Sequence, residues 1–176
     1  MERKGIKQAI REYFFVNPTA KLRVREIERT LKLPLPSVIR YCKELEKEDI
    51  LTTNKIGKVN LYTASRSERY ILEKKLYNIK AVYESGLINY LKIELSNPVI
   101  VLFGSYSKGE DTEDSDMDLY IETPSNKSVN IEKFRKFLKR EIQLFQHKNI
   151  KDITNPYLAN SIINGITLNN YIEVFK

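Results

Sequence analysis

The chain has one cysteine, Cys42, and one histidine, His147, in 176 residues. No internal disulfide can form, and a zinc site built from Cys and His within one chain is excluded. Any metal is therefore expected on oxygen. Glycine and proline are scarce, at 6 each, which removes collagen-like and low-complexity chains, and 41% hydrophobic with 30% charged residues is the composition of a chain that folds. No apolar run approaches the roughly 18–20 residues needed to cross a bilayer. Met1-Glu-Arg-Lys opens a charged segment instead of the apolar stretch of a signal peptide. A soluble, cytoplasmic protein without a membrane partner is expected.

Positive charge is present, and it is unevenly spread. The formal net charge is +7; residues 1–65 carry 14 Lys+Arg against 8 Asp+Glu, whereas residues 66–176 carry 16 against 15. The later part also holds an acidic knot, with Glu110, Asp111, Glu113, Asp114, Asp116 and Asp118 inside nine residues. A basic front and an acidic knot imply two modules with different partners.

In the front, Ile6, Ala9, Ile10, Tyr13 and Phe14 recur at helical spacing up to Asn17-Pro18, predicting a helix over about residues 4–15. Val24, Ile27 and Leu31 mark a second helix. Val38, Cys42 and Leu45 mark a third after Pro34-Leu35-Pro36. Leu51-Thr52-Thr53 and Val59-Asn60-Leu61-Tyr62 flank a turn and read as a hairpin. Three helices and a hairpin resemble the winged helix-turn-helix of prokaryotic regulators, a resemblance carried by Leu31 to Leu51 as turn, recognition helix and entry to the wing. A third helix that buries Val38, Cys42 and Leu45 turns Ser37, Arg40, Lys43 and Lys47 outward for a DNA major groove, with Lys55 and Lys58 on the wing for phosphates. Cys42 is expected in the core.

From Ser67 to about Leu95, Ile71, Leu76, Ile79, Tyr83, Leu87 and Leu91 keep helical spacing, either as one long helix or as two split at Ser85-Gly86. The stripe suits a core or a homodimer interface.

Pro98-Val-Ile-Val-Leu-Phe103 is a short buried-strand run, followed at once by Gly104-Ser105-Tyr-Ser-Lys108-Gly109. Ser115-Asp116-Met117-Asp118-Leu119-Tyr120-Ile121 then alternates as a strand, with both Asp on one face. A Gly-Ser turn between strand and helix offers backbone N–H groups and a hydroxyl to a phosphate. Two carboxylates at i and i+2 can hold divalent cations against it. Glu110, Asp111, Glu113 and Asp114 read as a solvated connector, and His147 as a surface or structural residue.

The set Gly104, Ser105, Gly109, Asp116 and Asp118, with Ser115 ahead of the first Asp, resembles the polymerase-β-like nucleotidyltransferases, specifically their minimal prokaryotic members. The resemblance covers about residues 96–175. It implies an α+β chain: a winged helix-turn-helix at 1–65, a helical linker at 66–95, and a nucleotidyltransferase-like domain at 96–176 with a mixed sheet flanked by helices. It also implies Mg2+ on Asp116 and Asp118, and a nucleoside triphosphate on Gly104, Ser105, Lys108 and Gly109. One departure stands out: the family's third carboxylate aligns with Gln143, on the strand Glu141-Ile-Gln-Leu-Phe145, and Glu141 is the nearest substitute as the third catalytic acid.

Two functions follow. One is an Mg2+-dependent nucleotidyltransferase that passes a nucleoside monophosphate from an NTP to an acceptor, with DNA bound through residues 1–65. Relatives of that kind commonly modify a toxin-type protein partner, which gives an antitoxin role by analogy. The other is a DNA-binding regulator whose degenerate transferase domain binds nucleotide or dimerises without catalysis.

Overall fold

Residues 5–57 and 59–174 are described by the computed structural model, in two units that divide between Tyr77 and Asn78. In the first, α1 (Ile6–Val16) buries Ile10 and Phe14, one turn apart, and stops where the Asn17 side chain and backbone N–H both donate to Tyr13 O at 2.9 Å. Helix α2 (Val24–Leu31) begins with the Arg23 N–H donating to the Glu26 carboxylate at 2.7 Å and buries Ile27. Helix α3 (Leu35–Lys47) carries Pro36 in its first turn, where a missing N–H costs nothing, and buries Val38, Cys42 and Leu45. Strands β1 (Leu51–Ile56) and β2 (Val59–Ala64) pair antiparallel, with Leu51 opposite Ala64 and Ile56 opposite Val59. Leu22 bridges Tyr62, exchanging backbone hydrogen bonds of 3.0 and 2.8 Å, so a third extended segment flanks the hairpin.

These elements close over Ile10, Phe14, Phe15, Ile27, Val38, Leu45 and Tyr70. Cys42 is fully buried among them, and burial, helped by the Glu46 carboxylate, pushes its thiol up to about 12. Almost no thiolate exists at neutral pH, so this cysteine packs as a small hydrophobe.

Helix α4 (Glu68–Glu84) starts at Ser67, whose hydroxyl accepts the Tyr70 N–H at 3.1 Å, and α5 (Leu87–Glu94) follows it. The helical stretch is therefore split at Ser85-Gly86. The stretch 66–95 is also not a separate piece: Tyr70, Ile71 and Tyr77 belong to the first core, whereas Val82, Leu87 and Leu91 belong to the second.

The second unit contains β3 (Val99–Phe103), α6 (Gly104–Lys108), β4 (Met117–Glu122), α7 (Glu132–Leu138), β5 (Ile142–His147), a 3-10 turn at Ile150–Asp152, α8 (Pro156–Ile163) and β6 (Ile166–Asn169). The strand order is β5-β4-β3-β6. β4 and β5 run parallel and the other pairs antiparallel, a mixed sheet in an α+β chain. Alternation sends Ile100, Leu102, Leu119 and Ile121 to one face, against Leu87 and Leu91 of α5 and Phe134 and Leu138 of α7. Val101, Phe103 and Tyr120 go to the other, against Ile162 of α8. The closing strand is short. β6 ends at Asn169; Asn170 has φ +52, and its side chain donates to Asn97 O at 2.7 Å.

The acidic connector is not uniformly solvated, contrary to its reading from sequence. Glu110 and Asp114 are exposed and Glu113 is half-buried, but Asp111 is buried. Its carboxylate accepts Asn78 Nδ2 at 2.8 Å and Arg140 Nη2 at 3.2 Å, and Arg140 is buried too. A charge of each sign can leave water together when paired and hydrogen-bonded, a condition that residue spacing along the chain does not reveal. Asp111→Ala should therefore lower the unfolding free energy by about 3–5 kcal/mol, because it removes one partner of a buried ion pair. Urea melts check this, and a loss no larger than that of a surface substitution would show that the pair is hydrated.

Candidate functional site

The end of β3 and the start of β4 form one corner. Phe103, Asp118 and Gln143 lie in a single row across β3, β4 and β5, and Gly104 turns the chain out of β3 directly into α6. Gly104 has φ +74, and a Cβ placed on it would lie 2.3 Å from Asp118 Oδ2. Only a residue without a side chain lets the turn and the carboxylate coexist. Helix α6 is a little over one turn long. It is fixed by Ser107 Oγ, which donates to Gly104 O at 2.8 Å, and by Asn78 Nδ2, which donates to Tyr106 O at 2.9 Å. Gly109 ends it with φ +77, in the left-handed conformation. Ser105 follows Gly104 in this first turn and is half-buried, and Lys108 is exposed.

Asp116 sits just before β4 and Asp118 within it, both half-buried. The Asp118 carboxyl is raised above the ordinary Asp range, chiefly by burial and then by repulsion from Asp116. Gln143 Nε2 donates to Asp116 Oδ2. The donor set at this corner is thus two carboxylates and an amide, all oxygen on the ligating side, with a repulsion that a hard divalent cation would relieve. That chemistry fits Mg2+ on Asp116 and Asp118. Among the described residues, no group of three or more His, Cys, Asp or Glu side chains is gathered to hold a metal. Glu141 does not join the pair. It precedes β5, its side chain is 71% exposed, and it faces Arg135 Nε at 3.3 Å.

His147 ends β5 with its ring stacked against Tyr120 at 6.2 Å. The Tyr120 phenol is buried and donates to Glu122 Oε2 at 2.9 Å; burial and that carboxylate raise its pKa. In the first unit, Arg40, Lys43, Lys47 and Lys55 are exposed and Ser37 is half-buried, while Lys58 lies outside the described residues. Arg40 stacks on the Tyr41 ring at 4.3 Å and approaches Glu44 at 3.8 Å, so part of its charge is already answered within α3.

Asn78 and Arg140 are the residues of this corner that the sequence pattern passes over. Each sits outside the Gly-Ser and Asp-x-Asp segments, on α4 and before β5, and reaches α6 or its connector only through the folded chain. Asn78 leaves one trace in the sequence, a polar residue at a helix position otherwise facing the core; Arg140 leaves none.

Comparison with known proteins adds three findings. A family model described as a nucleotidyltransferase domain matches residues 84–169. A protein of Methanocaldococcus jannaschii named "putative protein adenylyltransferase" is 39% identical over 70 residues, which is 36% of this chain and 67% of that one. A mutant of Lactococcus lactis ZitR shares a TM-score of 0.37 at 14% identity over 53% of this chain, which spans 63% of that structure's chain.

The raised carboxyl of Asp118 has a thermodynamic consequence. Its folded-state pKa exceeds the unfolded value, so the group favours folding below about pH 3.9, and that contribution is lost as pH rises through the raised value. Asp118→Asn should therefore raise the melting temperature of the metal-free protein at neutral pH, with the gain disappearing below about pH 3.9. A gain of equal size at both pH values would assign it to something other than charge burial. Gly104→Ala should lower the melting temperature and displace the Asp118 carboxylate, read as loss of nucleotide-induced stabilisation.

Proposed function

Because this chain belongs to the nucleotidyltransferase domain family, we propose that it transfers a nucleoside monophosphate, by preference AMP, from an NTP to a hydroxyl on a protein acceptor. The observation that carries this reading is the contact at Gly104, which brings the phosphate-accepting turn and the acidic pair to the same corner. The amides after Gly104 and the Ser105 hydroxyl would bind the triphosphate, Gly109 would let the turn close around it, and Lys108 would supply a cation at its rim. Asp116 and Asp118 would hold Mg2+. When bound there, the ion neutralises phosphate charge and polarises the phosphorus under attack. The acceptor oxygen would bond to the α-phosphorus while the bond to pyrophosphate breaks.

The proton of the acceptor hydroxyl has few destinations. Gln143 is neutral and already spends its amide on Asp116, so Glu141 is the remaining carboxylate of that strand segment, once released from Arg135. Catalysis through this route is slow, resting mainly on positioning and charge stabilisation. The preference for AMP and for a protein acceptor, a toxin-type partner among them, rests on the name of the Methanocaldococcus jannaschii relative.

The three helices and hairpin of the first unit support a winged-helix reading, with α3 presented to DNA and the β1–β2 turn to its backbone. Arg40, Lys43, Lys47 and Lys55 offer positive charge there, with Ser37 beside them. A second reading gains from Gln143: a DNA-binding regulator whose transferase domain senses nucleotide without turning it over.

Incubating the purified protein with Mg2+, each labelled NTP and cell extract separates the two. Transfer of label from ATP to a protein band, lost in Asp116→Ala with Asp118→Ala, is expected. Label transfer that survives the double variant sinks the enzymatic reading, and nucleotide-induced stabilisation without any transfer selects the regulator. On the DNA side, affinity should fall with salt, and Arg40→Ala or Lys43→Ala should each reduce the logarithmic salt slope by about 1. Binding indifferent to salt would rule that surface out.

A further inference from the structure

Helix α4 carries apolar residues on two sides: Tyr70 and Val82 are buried, but a second apolar stripe faces outward. Its buried side includes Lys74 and Asn78, whereas Leu72, Leu76 and Tyr83 are 56%, 57% and 50% exposed. An exposed Leu alone means little, but large apolar residues lined up opposite buried polar ones are informative. At about 100° per residue, positions 72, 76 and 83 fall within one narrow stripe. Along one edge of that stripe run Arg69, Glu73, Lys80 and Glu84, joined within the chain as Arg69–Glu73 at 3.7 Å and Lys80–Glu84 at 3.6 Å.

The order of charge along this edge is plus, minus, plus, minus. Read backwards it is inverted at every position. A second α4 laid antiparallel therefore sets Arg69 opposite Glu84 and Glu73 opposite Lys80, and both pairings share one midpoint, between Leu76 and Tyr77. The same arrangement sets Leu72 near Tyr83 of the other copy and brings the two Leu76 side chains together at the axis. In antiparallel helix pairs like edges meet, so all four charges of each copy are answered across the seam. A parallel pair would instead bring this edge against the opposite edge of the other copy, where Glu68, Lys75 and Ile79 lie, and the four charges would lose their complementary partners.

We propose that this chain forms a homodimer through α4, packed antiparallel about a two-fold axis near Leu76. Such a contact is isologous and closes on itself, as a soluble dimer requires. Glu73 also receives Arg11 at 2.7 Å, which holds its carboxylate in place at the edge. The proposal does not depend on nucleotidyl transfer.

The test uses the full chain. Light scattering should give twice the 20.7 kDa protomer mass. Leu72→Glu with Leu76→Glu should raise the dimer dissociation constant at least about tenfold, with helical circular dichroism unchanged, since both side chains are solvent-facing. A second arm works even if that variant folds poorly. The sole native cysteine, Cys42, is fully buried, so an introduced thiol reports alone. Leu76→Cys should form a disulfide-linked dimer under mild oxidation. Arg69→Cys should not, because antiparallel packing holds the two copies of residue 69 about 22 Å apart along the helices. A monomeric mass for the wild type at every concentration, or equal cross-linking at positions 69 and 76, would overturn the proposal.

Discussion

The close approach between Gly104 and the Asp118 carboxylate governs the second unit. Strand β3 must end where β4 begins to carry charge, and the chain must leave β3 without a side chain in the way. Once that holds, the orientation of α6 follows, and with it the direction in which the first-turn amides point. The remaining contacts secure this corner from behind. Asn78 links the end of α6 to Asp111, and Arg140 neutralises Asp111, so a buried polar group fixes a helix too short to be stable by its own hydrogen bonds.

The two faces of the sheet divide the labour. One is covered by α5 and α7 and is purely apolar where it matters, with Ile100, Leu102, Leu119 and Ile121 in the middle. The other is covered by α8 over Val101, Phe103 and Tyr120, and its row of Phe103, Asp118 and Gln143 lies at the end where β4 begins. Strand alternation puts Asp118 on the face of Tyr120, and the Gln143 amide holds Asp116, just before the strand, at the same end.

Much of this was legible in the residues. Apolar spacing placed α1, α2 and α3 and their buried positions Val38, Cys42 and Leu45, because amphipathic helices around a small core leave few alternatives. The Gly-Ser turn and the Asp-x-Asp strand were readable because each needs its residue types for local reasons: positive φ in one case, alternation in the other. Asp111 was misjudged for the opposite reason. Its carboxylate is indistinguishable in sequence from its solvated neighbours Glu110 and Asp114, and only the non-local arrival of Asn78 and Arg140 makes burial affordable. Counting along a strand puts Glu141 near the acidic pair, but β5 begins one residue later, and Arg135 competes for its carboxylate from α7. The split at Gly86 was an open choice in the sequence, since helix propensity alone does not decide between a tolerated glycine and a break.

The corner's two halves also differ in how they can decay by mutation. A side chain at position 104 collides with the Asp118 oxygen, so the turn and the acid constrain each other directly. Position 143 carries no such bond to the backbone's shape. Its side chain is exposed, and Gln there satisfies Asp116 as a hydrogen-bond donor where an acid would repel it. The residue at 143 and the shape of the turn are therefore set by separate constraints: a change at 143 leaves the Gly104–Asp118 corner standing, whereas a change at 104 does not.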